Sequence, residues 1–434
     1  MRKMKDSGIE WIGDIPENWN VGKTLFALSM PITDGPHETP ELLEEGIPFV
    51  SAEAVSCGNG KIDFEHIRGF ISQEYYEECC KKYTPQINDI YMIKSGATTG
   101  KVALVDTDEI FTIWSPLAVF RCDDKKCFYK YLFYVLQSDY YQKQVENKWS
   151  FGTQQNIGMR TLEKLLICYP PVKEQVKIAN YLDNKCVEID ALIEAKEKTN
   201  ALLKEQRQSI IYEAVTKGLN PNVPMKDSGI EWIGDVPETW DVKKIKYCFD
   251  LVAGATPKSS NSEYWDGNIV WITPADYKTE DVFIEKGHKN ITDEGMQSCA
   301  TTLIPENCII FSKRAPVGLV AINRVPLCTN QGCISCIPHN DISSKFYYYV
   351  MSVFEEQFEL FASGTTFKEI SADSFANFLL PNTTFDEQVE IVNYLDKKCA
   401  ELDTIIKSNR TIIEKLKEYR KSIIFEAVTG KVEI

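Results

Sequence analysis

Residues 96–102, GATTGKV, carry the glycines, lysine and small hydroxyls from which a phosphate-binding loop is made. The spacing departs from that motif. Three residues separate the first glycine from the Gly-Lys pair where four are needed, and Val102 stands where Ser or Thr would hold magnesium. A Gly-rich turn between strands accounts for the stretch. Residues 333–339, CISCIPH, offer two thiols and an imidazole, but one CxxC without a second pair, set in alternating apolar residues, reads as a buried strand rather than a zinc site. Cys79 and Cys80 are adjacent and carry no ligand spacing. The four histidines are His37, His66, His288 and His339, and only His37, in TDGPHETP, has a strongly loop-like setting. No nucleophile elbow, Rossmann glycine set or metalloprotease motif accompanies them.

The other residues able to do chemistry lie on polar loops. In the first half these are His37; Lys94, Ser95, Thr98, Thr99 and Lys101; and Lys148, Thr153, Gln154, Gln155 and Asn156. In the second half they are Thr256, Lys258, Ser259, Tyr264 and Trp265; Lys313 and Arg314; Asn330 and Gln331; and Thr365, Thr366 and Lys368. Asn and Gln can bond an adenine edge through two bonds, Arg and Lys a guanine edge, and hydroxyls with Gly-supported amides suit phosphate. One such loop is an ordinary solvated turn; their recurrence at similar places in both halves points to DNA contact.

The elements that must position these loops are written twice. Residues 4–21, MKDSGIEWIGDIPENWNV, return as 225–242 with three changes, and residues 174–218 align without a gap on 387–431. Between the copies, residues 22–170 and 243–381 show no obvious likeness. The second repeated segment reads as a long helix. Leu182, Cys186, Ile189, Ile193, Leu203 and Ile210 in one copy, and Leu395, Cys399, Leu402, Ile406, Leu416 and Ile423 in the other, fall on a 3.5-residue period, which is a coiled-coil seam. Prolines 170, 171 and 381 stop a helix entering from upstream, and Gly218 and Gly430 mark the far ends. Polar residues interrupt both seams at Lys196 and Asn409 and at Arg207 and Arg420, which favours pairing of the two rods; the intervening domain gives the chain room to turn, so the expected pairing is antiparallel. The variable parts carry short strands such as DIYMI and CIIFS, and aromatic helices at 129–145 and 345–361. Trp11, Trp19, Trp232 and Trp240 are expected to anchor each variable part on the shared frame.

The expected fold class is therefore α+β: two domains of mixed α/β structure separated by two long helices in an antiparallel coiled coil, with a pseudo-twofold internal repeat. At 434 residues, 44% hydrophobic and 26% charged, the chain fits a globular protein of two or three units. Its net charge of −15 argues against a simple basic surface gripping phosphate but leaves room for local basic faces. Asp6 and Glu10 precede any apolar run, no apolar run could cross a membrane, and fourteen scattered cysteines read as reduced thiols, so the expected location is the cytoplasm.

The doubled MKDSGIEWIGD, the linker TKGLNPNVP, the helix start EQV.I.NYLD.KC and the helix end II(Y/F)EAVT together resemble the specificity subunit of type I restriction-modification systems. TDGPHETP with GIPFV resembles one class of that family's target recognition domains, and GATPKSSNSEYWDGNIVWITPAD with RAPVG and NQG another. The resemblance implies a non-catalytic subunit whose two recognition domains read the halves of a split site in double-stranded DNA. It implies two methyltransferase and two restriction-translocase subunits as partners, with no cofactor or metal on this chain: S-adenosylmethionine, ATP and Mg2+ would be used by the partners. Expected boundaries are 1–170 and 225–381 for the recognition domains, 171–217 and 382–429 for the helices, 218–224 for the linker and 430–434 for a tail. Two other readings stand beside it: a coiled-coil adaptor whose variable domains bind proteins, and a nucleotide-dependent enzyme built on residues 96–101.

Overall fold

The computed structural model describes residues 2–151, 155–278, 281–364 and 368–434. By contacts the chain divides into two units, one of residues 1–197 with 410–434 and one of residues 198–409. No helix among the described residues is long and apolar enough to cross a membrane.

The first unit is organised on a four-stranded antiparallel sheet in the order Thr33–Asp34, Leu117–Phe120, Ile90–Ile93, Val102–Leu104. Both faces are covered, so neighbours along a strand enter different cores. Tyr91 and Ile93 pack with Val50, Phe111 and Ile113. Ile90 and Met92 pack with Tyr131, Leu132 and Val135 from the helix Tyr129–Gln137. A smaller sheet joins Phe70–Ile71, Ile47–Val50 and Thr112–Ile113.

The second unit repeats that order with longer strands: Phe249–Ala253, Cys333–Pro338, Ile309–Lys313, Val317–Asn323, and then Phe283–Ile284. Ile309 and Phe311 face the aromatic helix Ser344–Val353, whereas Ile310 packs with Ile272 and Leu327. The two variable stretches thus share a sheet plan that their sequences conceal.

The aromatic segments are not single helices. The chain breaks at Ser138, in extended backbone between Tyr129–Gln137 and Asp139–Lys148, and at Phe354 between Ser344–Val353 and Glu355–Leu360. Ser138 donates both its N–H and its hydroxyl to the Val135 carbonyl, satisfying the end of the first helix.

The repeated segments build the same frame in each unit. The hairpin Met4–Asp6 with Asp14–Pro16 recurs as Met225–Asp227 with Asp235–Pro237. Trp19 and Trp240 are wholly buried, and their indole N–H groups donate to Glu174 (3.1 Å) and Glu387 (3.0 Å) at the starts of the long helices Val172–Lys217 and Phe385–Val428. The same tryptophans meet the opposite helix ends, Trp19 at Gly430 and Trp240 at Gly218. Trp11 does not share this role, being 42% exposed. One turn into each helix, Gln175 accepts from the Phe128 N–H at 2.8 Å and Gln388 from the Ser343 N–H at 2.9 Å. Two turns further, Asp183 holds Lys130 and Tyr134, and Asp396 holds Lys345 and Tyr349. The Lys-x-x-x-Tyr spacing that meets each aspartate places both side chains on one helix face.

The 3.5-residue period is the buried stripe of both long helices. Leu182, Cys186, Ile189, Ile193, Leu395, Cys399, Ile406 and Ile423 are buried, and Leu203, Ile210, Leu402 and Leu416 are partly buried. Each unit contains half of each helix. In the first, Asp190 pairs with Arg420 (3.0 Å) and Glu197 with Lys417 (3.5 Å). In the second, Asn200 accepts from the Asn409 amide (2.9 Å) and Arg207 pairs with Asp403 (3.4 Å). Partner numbers fall on one helix as they rise on the other.

Candidate functional site

The polar loops singled out in the sequence converge at one corner of the main sheet in each unit. In the first unit the turn at 94–101 connects Ile90–Ile93 to Val102–Leu104, and four loops meet there through backbone hydrogen bonds. Lys94 N–H donates to the Pro116 carbonyl (2.7 Å), Ser115 N–H to Pro36 (3.1 Å), Ile157 N–H to Lys94 (2.9 Å) and Gly96 N–H to Gln155 (3.0 Å). Ser95 and Asn156 face each other as an antiparallel bridge. The second unit forms the corresponding junction: Lys313 N–H donates to Gly332 (2.9 Å), Ala255 N–H to Thr329 (2.9 Å) and Ile370 N–H to Lys313 (3.0 Å), with Arg314 and Glu369 as the bridge.

Two glycines let the edge strand leave this corner. A Cβ on Gly35 would run into the Ile113 carbonyl, and one on Gly254 into the Thr329 and Asn330 carbonyls, so the close crossing admits only glycine at either place. The glycines in TDGPH and VAGAT therefore mark the same structural position.

The side chains differ between the two junctions. In the first, the buried carboxylate of Asp34 gathers three side chains: the ammonium groups of Lys82 and Lys94 (3.2 Å) and the imidazole of the mostly exposed His37 (3.2 Å). Burial works to raise the Asp34 pKa, but the Lys82 hydrogen bond and charge, followed by those of Lys94, outweigh it and hold the carboxyl below its ordinary value. Lys94 keeps only 11% of its side chain exposed, so this lysine braces the loops rather than standing free toward a ligand. Beside it lies a cavity of about 380 Å³ lined by Asp34, His37, Tyr75, Lys82 and neighbouring residues. Burial, with Cys79 and Glu38 nearby, pushes the Tyr75 phenol up to about 12.

In the second junction the Thr256 hydroxyl bonds the Gln331 side-chain oxygen, and the Asn330 side chain accepts from Gly332 N–H (2.8 Å), shaping its own loop. Glu369 lies between Lys313 (2.7 Å) and Arg314 (3.7 Å). Trp265 packs edge-on to Trp271 (5.1 Å between ring centres), with the Lys289 ammonium 5.2 Å from its ring, and Trp271 reaches the Ala255 carbonyl (3.0 Å).

The other candidates are placed as follows. Thr98 and Thr99 lie in the 94–101 turn, where the Thr99 hydroxyl bonds the Gly96 carbonyl (2.7 Å), while Lys101 reaches the Ser56 carbonyl (3.2 Å). Lys148 is exposed at the end of its helix, Gln155 is partly exposed, and Lys258 and Ser259 are exposed. Tyr264 ends the short turn Ser262–Tyr264, and Lys368 is 3.6 Å from Glu359. Thr153, Gln154, Thr365 and Thr366 lie outside the described residues. The cysteines of CISCIPH are interior to the strand Cys333–Pro338, and burial pushes the Cys333 thiol up to about 12. Sequence reasoning missed Asp34, Lys82, Ser115 and Glu369, and the Arg68 guanidinium stacked 3.8 Å over the Trp114 ring. The first four take their meaning from partners far along the chain; only Asp34, beside the glycine of TDGPH, carries a local hint.

Two equivalent loop junctions thus stand on a frame whose repeats meet the long helices at matched points. A sequence model of the type I restriction modification DNA specificity domain matches residues 39–205 and again 237–418. The chain belongs to the type I restriction-modification specificity family. A putative type I restriction enzyme MjaX specificity subunit from Methanocaldococcus jannaschii is 26% identical over 98% of this chain and 96% of that one. The MjaIX specificity subunit of the same organism is 36% identical over 166 residues, 38% of each chain. In fold, the chain is similar to one from a structural study of complex assembly and conformational transition of the type I R-M system, with a TM-score of 0.74 at 17% identity, covering 96% of this chain and 99% of that one.

Proposed function

We propose that this chain is the DNA-reading subunit of a type I restriction-modification enzyme, with each loop junction reading one half of a split, asymmetric site. The observation that carries this reading is the pair of equivalent junctions bearing different side chains. A common backbone plan puts the contacts in corresponding places, while His37, Ser95 and Asn156 in one and Thr256, Arg314 and Glu369 in the other suit them to different base edges.

The recognition domains in this reading are residues 1–170 and 225–381, and the helices 171–217 and 382–429 pair along their length as an antiparallel coiled coil with a pseudo-twofold repeat. Support comes from the opposed numbering of the pairs Asp190–Arg420 and Asn200–Asn409. The coiled coil sets the unread spacer and docks two methyltransferase subunits; two restriction-translocase subunits complete the enzyme. The subunit itself is non-catalytic. Adenine methylation with S-adenosylmethionine, and ATP- and Mg2+-dependent translocation and cleavage, belong to the partners, in the cytoplasm. The chain's charge of −15 suits a reader whose partners supply much of the phosphate contact.

The test is to express the chain with its modification subunit in a methylation-free host and map modified adenines across the genome. A split motif is expected, and replacing residues 22–170 with another recognition domain should change one half only. Random methylation by an active complex, or a change in both halves, would refute the reading.

A further inference from the structure

The correspondence of the two junctions identifies equivalent positions that sequence alignment of the variable stretches does not. Two residues after the strand-leaving glycine stand His37 and Thr256. Next to the bracing lysine stand Ser95 and Arg314, and facing these across the bridge stand Asn156 and Glu369. Ser115 and Gln331 precede the residues, Pro116 and Gly332, whose carbonyls accept from the bracing lysines.

We propose that these four pairs of positions are the specificity-determining set of the two units, and that Arg314, braced by Glu369, reads a guanine in the half-site of the second unit. The proposal rests on the DNA-reading function above.

Three features favour a base contact over a phosphate contact for Arg314. Its backbone lies in the bridge with Glu369, so the guanidinium starts from a fixed point, and the carboxylate at 3.7 Å limits its swing. Lys313 lies closer to the same carboxylate, at 2.7 Å, and offsets its charge, so the Lys313–Glu369–Arg314 cluster as a whole keeps a positive charge. The side chain keeps 34% of its surface exposed, and a partly held guanidinium presents the planar fork that matches O6 and N7 of guanine. The equivalent Ser95 has no such fork. In the first unit the bidentate group is instead the Asn156 amide, which suits an adenine edge. The two units therefore differ in chemistry at positions that coincide in geometry.

The experiment uses the complete complex with its modification subunit, carrying Arg314→Lys or Arg314→Ala, and genome-wide mapping of modified adenines. Lysine retains the charge but loses the fork, and being a mild change at a partly exposed position it keeps the test valid if the alanine variant folds poorly. Discrimination at one G·C pair, in one half of the motif, is expected to fall by about tenfold to a hundredfold, with the other half unchanged. An unchanged motif in the lysine variant overturns the assignment. So does a uniform loss across all sequences, the behaviour of a phosphate contact. Failure of the unaltered complex to give any split motif would instead refute the DNA-reading function on which the proposal stands.

Discussion

Replacing Trp19 with phenylalanine tests the claim that the repeated opening phrase ties each unit to the ends of the long helices. The indole is wholly buried and donates to Glu174 at 3.1 Å, and the other oxygen of that carboxylate lies 2.5 Å from Arg2. A hydrogen bond to a charged acceptor contributes about 1.5–3 kcal/mol. Glu174 keeps Arg2 and retains 21% of its side-chain exposure, so the coupling belongs at the low end, about 1.5 kcal/mol. Phenylalanine also leaves a void where the indole met Gly430, bringing the total loss to about 2–3 kcal/mol. For a body of about 150–250 residues, that lowers the melting temperature by roughly 5–10 °C. Because the chain has two units, the quantity to follow is the calorimetric transition assigned to the first one. A double-mutant cycle of Trp19→Phe with Glu174→Ala isolates the bond. If the two losses add to within about 0.5 kcal/mol, the indole and the carboxylate are not coupled and the anchoring argument fails. The cycle of Trp240→Phe with Glu387→Ala should give the same result in the other transition.

Asp34→Asn probes the first junction. Because the folded pKa of Asp34 is held below its unfolded value, its contribution is present above about pH 4 and lost as pH falls through the folded value. The variant should melt lower at neutral pH and show a flatter acid limb below about pH 4; parallel limbs would show that Lys82 and Lys94 do not depend on this carboxylate. Adding one heptad to both long helices at matched points should lengthen the unread gap by about 3 base pairs, since seven residues rise about 10 Å and DNA about 3.4 Å per pair. An unchanged gap in the methylation map would show that the coiled coil is not the ruler.

Several features were legible in the primary structure because their causes are local or periodic. The long helices follow from seam residues three and four apart, bounded by proline and glycine, and their buried stripe runs through Leu182, Cys186, Ile189, Leu395, Cys399 and Ile406. The strand DIYMI and the buried strand within CISCIPH announce themselves by unbroken or alternating apolar runs. Repetition of whole phrases exposed the doubled frame. The break at Ser138 was hidden because the aromatic pattern continues across it, and Trp11 was wrongly grouped with Trp19 because residue type alone does not report burial.

The amino-acid order by itself determined the repeat, the two rods and the polar character of the loops, since each is written in neighbouring residues or in a regular period. Only the tertiary structure decided that the two variable stretches share one sheet plan, that Asp34 gathers Lys82, Lys94 and His37, and that Arg314 stands where Ser95 stands in the other unit. The physical reason is that these relations pass through backbone hydrogen bonds and buried carboxylates between segments far apart in the chain. Backbone bonds specify position while leaving side chains free to differ, so a shared geometry can persist where the sequences show no likeness.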